Sequence, residues 1–161
     1  MNNQVMLSLL LLVGGSAAAA PVKMQRPVPL MEDNDISTAI KQECGIGERL
    51  AHFVQKYSVQ PIEFSDDAPA LESGRVLQME IVDAVAMGNA WLGHQKYAKV
   101  RGTLYQDGVK VASFKGRRNS MGGAFAGFKG SCSVLDRTIK ALGEDVAGWL
   151  ENPADGVNLG D

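Results

Sequence analysis

The sequence predicts a single α+β domain in which an antiparallel sheet of about four strands is covered on one face by an N-terminal helical region and a C-terminal helix. Two observations carry this prediction. Between residues 75 and 117, apolar and polar residues alternate over long stretches, which is typical of strands with one buried face. In the segments before and after it, apolar residues recur every three or four positions, which is typical of a helix with one apolar side packed against the core.

The first twenty residues carry no charged side chain and contain a mostly apolar run. Met6 to Val13 form an apolar run, small residues follow up to Ala20, and no charged residue precedes Lys23. This is the pattern of a secretory signal peptide, although a basic residue before the run is absent. The run is shorter than the about 20 residues of a membrane-spanning helix. We interpret residues 1–20 as a signal peptide, with a buried helix as the alternative, and expect a periplasmic or secreted protein that does not span a membrane.

The rest of the chain has the size of one domain. Residues 21–34 contain three prolines and predict an extended lead-in. Residues 35–152 predict the domain itself, and residues 153–161 a flexible tail. With 16 basic and 18 acidic residues the net charge is -2, so the overall charge indicates no particular class of partner.

Helices are predicted at both ends of the domain. The first helical region covers residues 36–58, where Asp35 or Ser37 can cap its start and Gly45 and Gly47 interrupt it. The last helix follows Ser131 or Ser133 and ends before a proline. Its apolar stripe consists of Leu135, Ile139, Leu142, Val146, Trp149 and Leu150.

Residues 97–117 predict a β-hairpin, which follows a strand at residues 75–84. A three-residue loop with Gly108 in the left-handed conformation pairs Tyr105 with Val109. We choose this register over a two-residue loop, which would place Lys115 and Val100 on one face, because it separates apolar from polar residues better. The predicted buried face consists of Ala98, Val100, Leu104, Ala112 and Phe114.

The opposite face of the hairpin is basic. Eight of the residues from Lys96 to Lys129 are basic, and only Asp107 is acidic. The chosen register sets Lys99 opposite Lys115, and like charges in opposed positions destabilise a sheet. The face is therefore either a solvated surface that discourages aggregation or a site for an anionic polymer such as lipopolysaccharide, peptidoglycan or nucleic acid. The candidate anion-binding residues are Lys99, Arg101, Lys115 and Arg117.

The two cysteines predict a disulfide. Cys44 and Cys132 are the only cysteines, and an even number in an exported protein favours a bridge. The alternative is a thiol or hydrolytic enzyme that uses His52 or His94, but neither histidine lies in a nucleophile motif. Asp66-Asp67 is interpreted as a solvated turn, and no metal-ligand spacing occurs. We therefore expect no catalytic residue, no metal and no cofactor.

The segment GGAFAGFKGS at residues 122–131 has the glycines of a phosphate-binding loop. In that loop a lysine and a hydroxyl residue follow the second glycine directly. Here Phe128 separates Gly127 from Lys129, and the preceding strand belongs to an antiparallel hairpin. We interpret the segment as a sharp turn between sheet and helix, and expect no nucleotide ligand.

The segment RVLQMEIVDA, the basic hairpin and the segment GGAFAGFKGSCSVLDRTIKALGEDVAGWL resemble a group of bacterial exported proteins without assigned activity, over residues 36–151. The order of elements is also similar to the periplasmic α/β domains of outer-membrane accessory lipoproteins, such as the curli-assembly lipoprotein and the penicillin-binding-protein activator. The lipid-anchoring cysteine of those lipoproteins has no counterpart at the predicted cleavage site. The resemblance implies an exported, non-enzymatic accessory or binding domain, whose partner is a cell-envelope protein or an anionic polymer.

The predicted disulfide can be tested by mass spectrometry of the exported protein without reduction. The intact mass should be lower than that of the reduced chain by about two hydrogens, because each thiol loses one when the bridge forms. Two alkylatable thiols in exported material would contradict the prediction.

Overall fold

A computed structural model describes residues 20–86, 95–121 and 131–160. The predicted signal peptide, the segment with His94 and the glycine-rich segment at residues 122–130 lie outside the described residues. The interpretations placed on those three segments therefore stay predictions.

The described strands form one mixed sheet in the order β2-β1-β3-β4-β5-β6. The three long strands β3, β4 and β5 form an antiparallel meander. Strand β1 runs parallel to both β2 and β3, and β6 runs parallel to β5. The strands are β1 (Val22–Gln25), β2 (Ile62–Ser65), β3 (Arg75–Ala86), β4 (Gln95–Gln106), β5 (Val109–Met121) and β6 (Val157–Gly160).

The sheet is larger than the sequence predicted. An antiparallel sheet of about four strands was expected, whereas six strands are present and three of them, β1, β2 and β6, join through parallel pairings. The additional strands come from the predicted lead-in, which supplies β1, and from the predicted flexible tail, which supplies β6. A helix precedes β6 in the chain and returns it parallel to β5, as crossover connections do.

Three helices lie in the described ranges: α1 (Thr38–Glu43), α2 (Ile46–Tyr57) and α3 (Ser131–Glu151). The Ser37 hydroxyl accepts a hydrogen bond from the Ile40 amide at 3.4 Å and caps α1. Gly45 adopts the left-handed conformation between α1 and α2, with φ of 52°. The predicted interruption of the first helical region is thus present. Of the helices described, none has the length and hydropathy required to cross a bilayer.

The hairpin register differs from the prediction at the turn. Asp107 and Gly108 both have positive φ and form a two-residue loop, so Gln106 pairs with Val109. The predicted pair of Tyr105 with Val109 is wrong. A β-bulge after Lys110 then shifts the register, because Tyr105 pairs with Lys110 whereas Leu104 pairs with Ala112. Beyond the bulge the predicted apolar residues face the core, each at most 2% exposed: Ala98, Val100, Leu104, Ala112 and Phe114.

Helix α3 covers the apolar face of the sheet. Its predicted stripe is buried, and the rings of Trp149 and Phe114 meet edge to face at 4.8 Å between centroids. The Phe114 ring lies over Gly102, where a Cβ atom would come within 2.5 Å of Phe114 Cε1. Glycine at this position therefore makes room for the aromatic pair that joins helix and sheet.

Helix α2 packs against α3 at close range. A Cβ atom on Gly143 would overlap Cβ of Phe53, so only glycine permits this approach. Near the same interface Arg49 of α2 forms an ion pair with Asp136 of α3.

The structure also joins Cys44 and Cys132 in a disulfide, with Cα atoms 5.1 Å apart. The bridge ties the end of α1 to the first turn of α3.

Replacing Trp149 with alanine is expected to lower the free energy of unfolding by about 3–5 kcal/mol. The substitution leaves a cavity against Phe114 and removes the hydrogen bond that Trp149 Nε1 donates to the carbonyl of Ala154 at 3.0 Å. Urea unfolding measures the change. An unaltered midpoint would mean that the α3 stripe is not the buried face.

Two glycines of α3 form a matched pair of substitutions. Gly143→Ala is expected to cost about 1–3 kcal/mol, since the added methyl group forces α2 and α3 apart. Gly148→Ala meets no atom within 4 Å and should stabilise the protein by up to about 1 kcal/mol through helix propensity. Both changes are measured by thermal or urea unfolding. If both variants are stabilised, the close packing at Gly143 is contradicted.

Candidate anion-binding face

The sheet face opposite the helices carries side chains in rows that cross the strands. We name three rows from the residues that pair across neighbouring strands. The neutral row is Gln78, Thr103 and Ser113. The first basic row is Glu80, Arg101, Lys115 and Asn158. The second basic row is Asp83, Lys99 and Arg117.

The structure brings the four predicted basic residues together on this face. In the observed register Lys99 lies directly opposite Arg117 on the neighbouring strand, and Arg101 lies opposite Lys115. The predicted register had placed Lys99 opposite Lys115. Opposed residues of an antiparallel pair have Cβ atoms about 5 Å apart. Residues two positions apart along a strand are separated by about 7 Å. The Cβ atoms of the four residues therefore form the corners of a small patch. It contains two cross-strand pairs of like charge, Lys99 with Arg117 and Arg101 with Lys115.

Carboxylates on β3 compensate only part of this charge. Glu80 forms an ion pair with Arg101, and Asp83 Oδ2 lies 3.6 Å from Lys99 Nζ. Within the described ranges, no carboxylate pairs with Lys115 or Arg117. Arg117 donates instead to the neutral Asn119 Oδ1, at 3.1 Å from Nη2. Positive charge is thus left uncompensated on β5.

Tyr97 holds the second basic row in place. Its hydroxyl donates to Asp83 Oδ2 at 2.7 Å, and this hydrogen bond to a carboxylate raises the pKa of Tyr97. The Lys99 ammonium lies 5.2 Å and the Arg117 guanidinium 5.0 Å from the centroid of its ring. Both distances are in the range of cation–π contacts. The ring therefore orients the two opposed cations.

Two grooves lie on this face. The larger has a volume of about 720 Å³ and extends from Gln25 of β1 to Asn158 of β6. The smaller, of about 440 Å³, lies over the second basic row. The two grooves share Arg101, Lys115 and Asn158. Both volumes are in the range of ligand sites in proteins.

At one end of the larger groove, the positive charge of Lys110 is neutralised by Asp155. Lys110 Nζ lies 3.0 Å from Asp155 Oδ1, and the Ser113 hydroxyl donates to the same carboxylate. The hydrogen bond from Ser113 and the charge of Lys110 lower the pKa of Asp155. Lys110 is therefore held by an internal partner, unlike Lys115 in the middle of the groove.

Sequence reasoning missed the walls of the larger groove. Pro29 comes from the predicted lead-in, Ala68 and Pro69 from the segment after β2, and Asn158 from the predicted tail. No periodic pattern in these short segments indicates that they line a site. They reach it because β1 and β6 flank the meander.

The remaining residues considered from the sequence lie elsewhere. His52 is exposed on α2, and Asp66 and Asp67 are exposed after β2. Across residues 20–86, 95–121 and 131–160 there is no group of three side chains suited to hold a metal ion. Both cysteines are engaged in the disulfide.

No family model matches the chain, and no curated protein matches it. Among solved structures, the chain is similar to PelC from Paraburkholderia phytofirmans, which is recorded as a dodecamer. The identity is 12%, the TM-score 0.48, and the match covers 78% of this chain and 86% of that chain. It is also similar to a minor lipoprotein from Acinetobacter baumannii, at 10% identity and a TM-score of 0.46 over 84% of this chain and 94% of that chain. Both are bacterial proteins.

Proposed function

We propose that this protein is an extracytoplasmic, non-enzymatic binding domain that takes an anionic ligand on the outer face of its sheet. The observation that carries the proposal is the uncompensated charge of Lys115 and Arg117, each of which lies opposite another cation. Opposed like charges cost stability in a sheet. An anion between the two basic rows would remove that cost and accept charge-assisted hydrogen bonds from both arginines.

The net charge of the whole chain makes this local pattern more informative. The protein carries a formal charge of -2, so a basic face is not the result of a generally basic composition. Acidic side chains next to the four cations are Glu80 and Asp83, and each already has a partner. A ligand would meet a local excess of positive charge within a concave surface, where attraction to an anion is strengthened.

The compartment is proposed from two independent features. The first twenty residues have the pattern of a signal peptide. The Cys44–Cys132 disulfide fits a protein that resides outside the reducing cytoplasm. In that compartment lipopolysaccharide, peptidoglycan and other envelope polymers supply anionic ligands, and a cell-envelope protein with an acidic surface is the other candidate partner.

A binding role is favoured over a thiol or hydrolytic enzyme by the chemistry of the grooves. A thiol enzyme requires a free cysteine, and the two cysteines of the chain are bonded to each other. Glu80 is the one carboxylate among the described lining residues, and it already forms an ion pair with Arg101. The lining side chains are suited to holding charge rather than to transferring protons.

The double variant Lys115→Gln/Arg117→Gln is expected to lose retention on heparin, lipopolysaccharide and peptidoglycan resins. Retention of the parent protein should fall as salt rises, because binding to a charged polymer releases counterions. The assay compares elution at low and moderate salt. The variant should keep its fold and gain slightly in stability, since opposed like charges are removed.

A control variant with the same change of charge is Lys41→Gln/Arg137→Gln. Both residues are exposed on helices, away from the grooves. This control should retain the binding of the parent. Equal retention of parent, control and Lys115→Gln/Arg117→Gln on every resin would reject the proposal and leave the basic face as a solvated surface.

A further inference from the structure

We infer that the ligand is an acidic polysaccharide that lies across the strands, with its charged groups at the basic rows and its hydroxyls on neutral side chains. This inference rests on the proposed anion-binding function and specifies its ligand. It is carried by the neutral polar residues interleaved with the cations and by the absence of an accessible aromatic ring among the described lining residues.

Neutral hydrogen-bonding groups flank the cations of the larger groove. Gln78, Thr103 and Asn158 line it, and their side chains have no hydrogen-bond partner within the described part of the chain. Thr103 lies two residues from Arg101 on β4, and Asn158 pairs directly with Lys115. Amides and hydroxyls both donate and accept, so they match the hydroxyls of a sugar. A polymer that carries only phosphate could accept hydrogen bonds from their donors but would leave their acceptor oxygens unused.

The groove has the length for a polymer rather than a single small anion. It crosses β1, β3, β4, β5 and β6, which corresponds to four inter-strand spacings or about 19 Å. Its walls at Pro29 and Pro69 are apolar, and such surface can contact the non-polar faces of sugar rings. A chain that runs across the strands meets neutral and charged side chains side by side.

Single-stranded nucleic acid fits this face less well. Proteins hold unpaired bases by stacking them on aromatic rings. Among the described lining residues of both grooves the one aromatic side chain is Phe114, which is 2% exposed. Tyr97 lies nearby, but Lys99 and Arg117 contact its ring. The described lining of the two grooves thus offers charge and hydrogen bonds without an aromatic ring on which bases could stack.

The test compares four polymers by isothermal titration or biolayer interferometry at one low salt concentration. They are alginate, an acidic polysaccharide; sodium polyphosphate, an anion without hydroxyl-bearing rings; dextran, a neutral polysaccharide; and single-stranded poly(dT). The parent protein should bind alginate more tightly than polyphosphate or poly(dT), and should not bind dextran. Tighter binding of poly(dT) or polyphosphate than of alginate would overturn the inference.

The variant Gln78→Ala/Thr103→Val/Asn158→Ala removes the neutral groups and keeps every charge. It should lose about tenfold or more in affinity for alginate, as expected when several hydrogen bonds are removed. The loss for polyphosphate should be smaller, because phosphate can accept hydrogen bonds but not donate them. The control Gln42→Ala/Gln55→Ala changes exposed residues on α1 and α2 and should behave as the parent. If alginate affinity stays the same, or polyphosphate affinity falls equally, the inference is wrong.

Failure of the inference and failure of the proposed function give different results. If no polyanion binds the parent protein at low salt, the proposed function itself is wrong. If polyanions bind and Lys115→Gln/Arg117→Gln abolishes binding, but the neutral variant leaves alginate binding intact, only the inference fails. Should the triple variant unfold, Asn158→Ala alone removes one exposed side chain of β6 and should weaken alginate binding about fivefold, while an unchanged affinity would contradict the inference.

Discussion

Burial of the apolar sheet face beneath α3 is the constraint on which the rest of the structure depends. Leu135, Ile139 and Leu142 are fully buried against that face. Because side chains alternate along a strand, covering one face fixes what the other presents to solvent. β-Bulges at Val82 and Val111 preserve this division of the two faces. Each bulge leaves one residue without a cross-strand partner, so the residues beyond it keep the correct side chains on the buried face. The basic rows are therefore a consequence of how the core packs.

The sequence predicted the parts of the fold that have long periodic patterns. Strands β3, β4 and β5 and helix α3 each contain enough residues for alternation or helical spacing to be visible. Strands β1 and β6 have four residues each, too few for a period, and their pairing is decided by partners remote in the chain. The register of the hairpin was wrong because a bulge, rather than a longer loop, absorbs the extra residue.

The candidate site was predictable to the same degree. Which face Lys99 and Arg117 occupy depends only on alternation, and that was predicted from the sequence. Which residues oppose each other depends on the register, and which carboxylates compensate them depends on the bulge in β3. The walls of the groove depend on β1 and β6. The alternation of residues along each strand thus predicts which side chains lie on the face. Which of them are neighbours depends on how strands remote in the sequence pair.

The long-range pairing of β1 also constrains how the chain reaches its native state. Strand β1 lies between β2 and β3, both of which follow it in the sequence after helices α1 and α2. Closing such loops is entropically costly, so folding is expected to begin in the local meander of β3, β4 and β5. Strand β6 is expected to join after α3 has docked, since α3 connects it to β5, and Cys44 is expected to meet Cys132 once α1 and α3 are side by side. Oxidation of the two cysteines is therefore expected late in folding, so the rate of disulfide formation reports how fast the fold is completed.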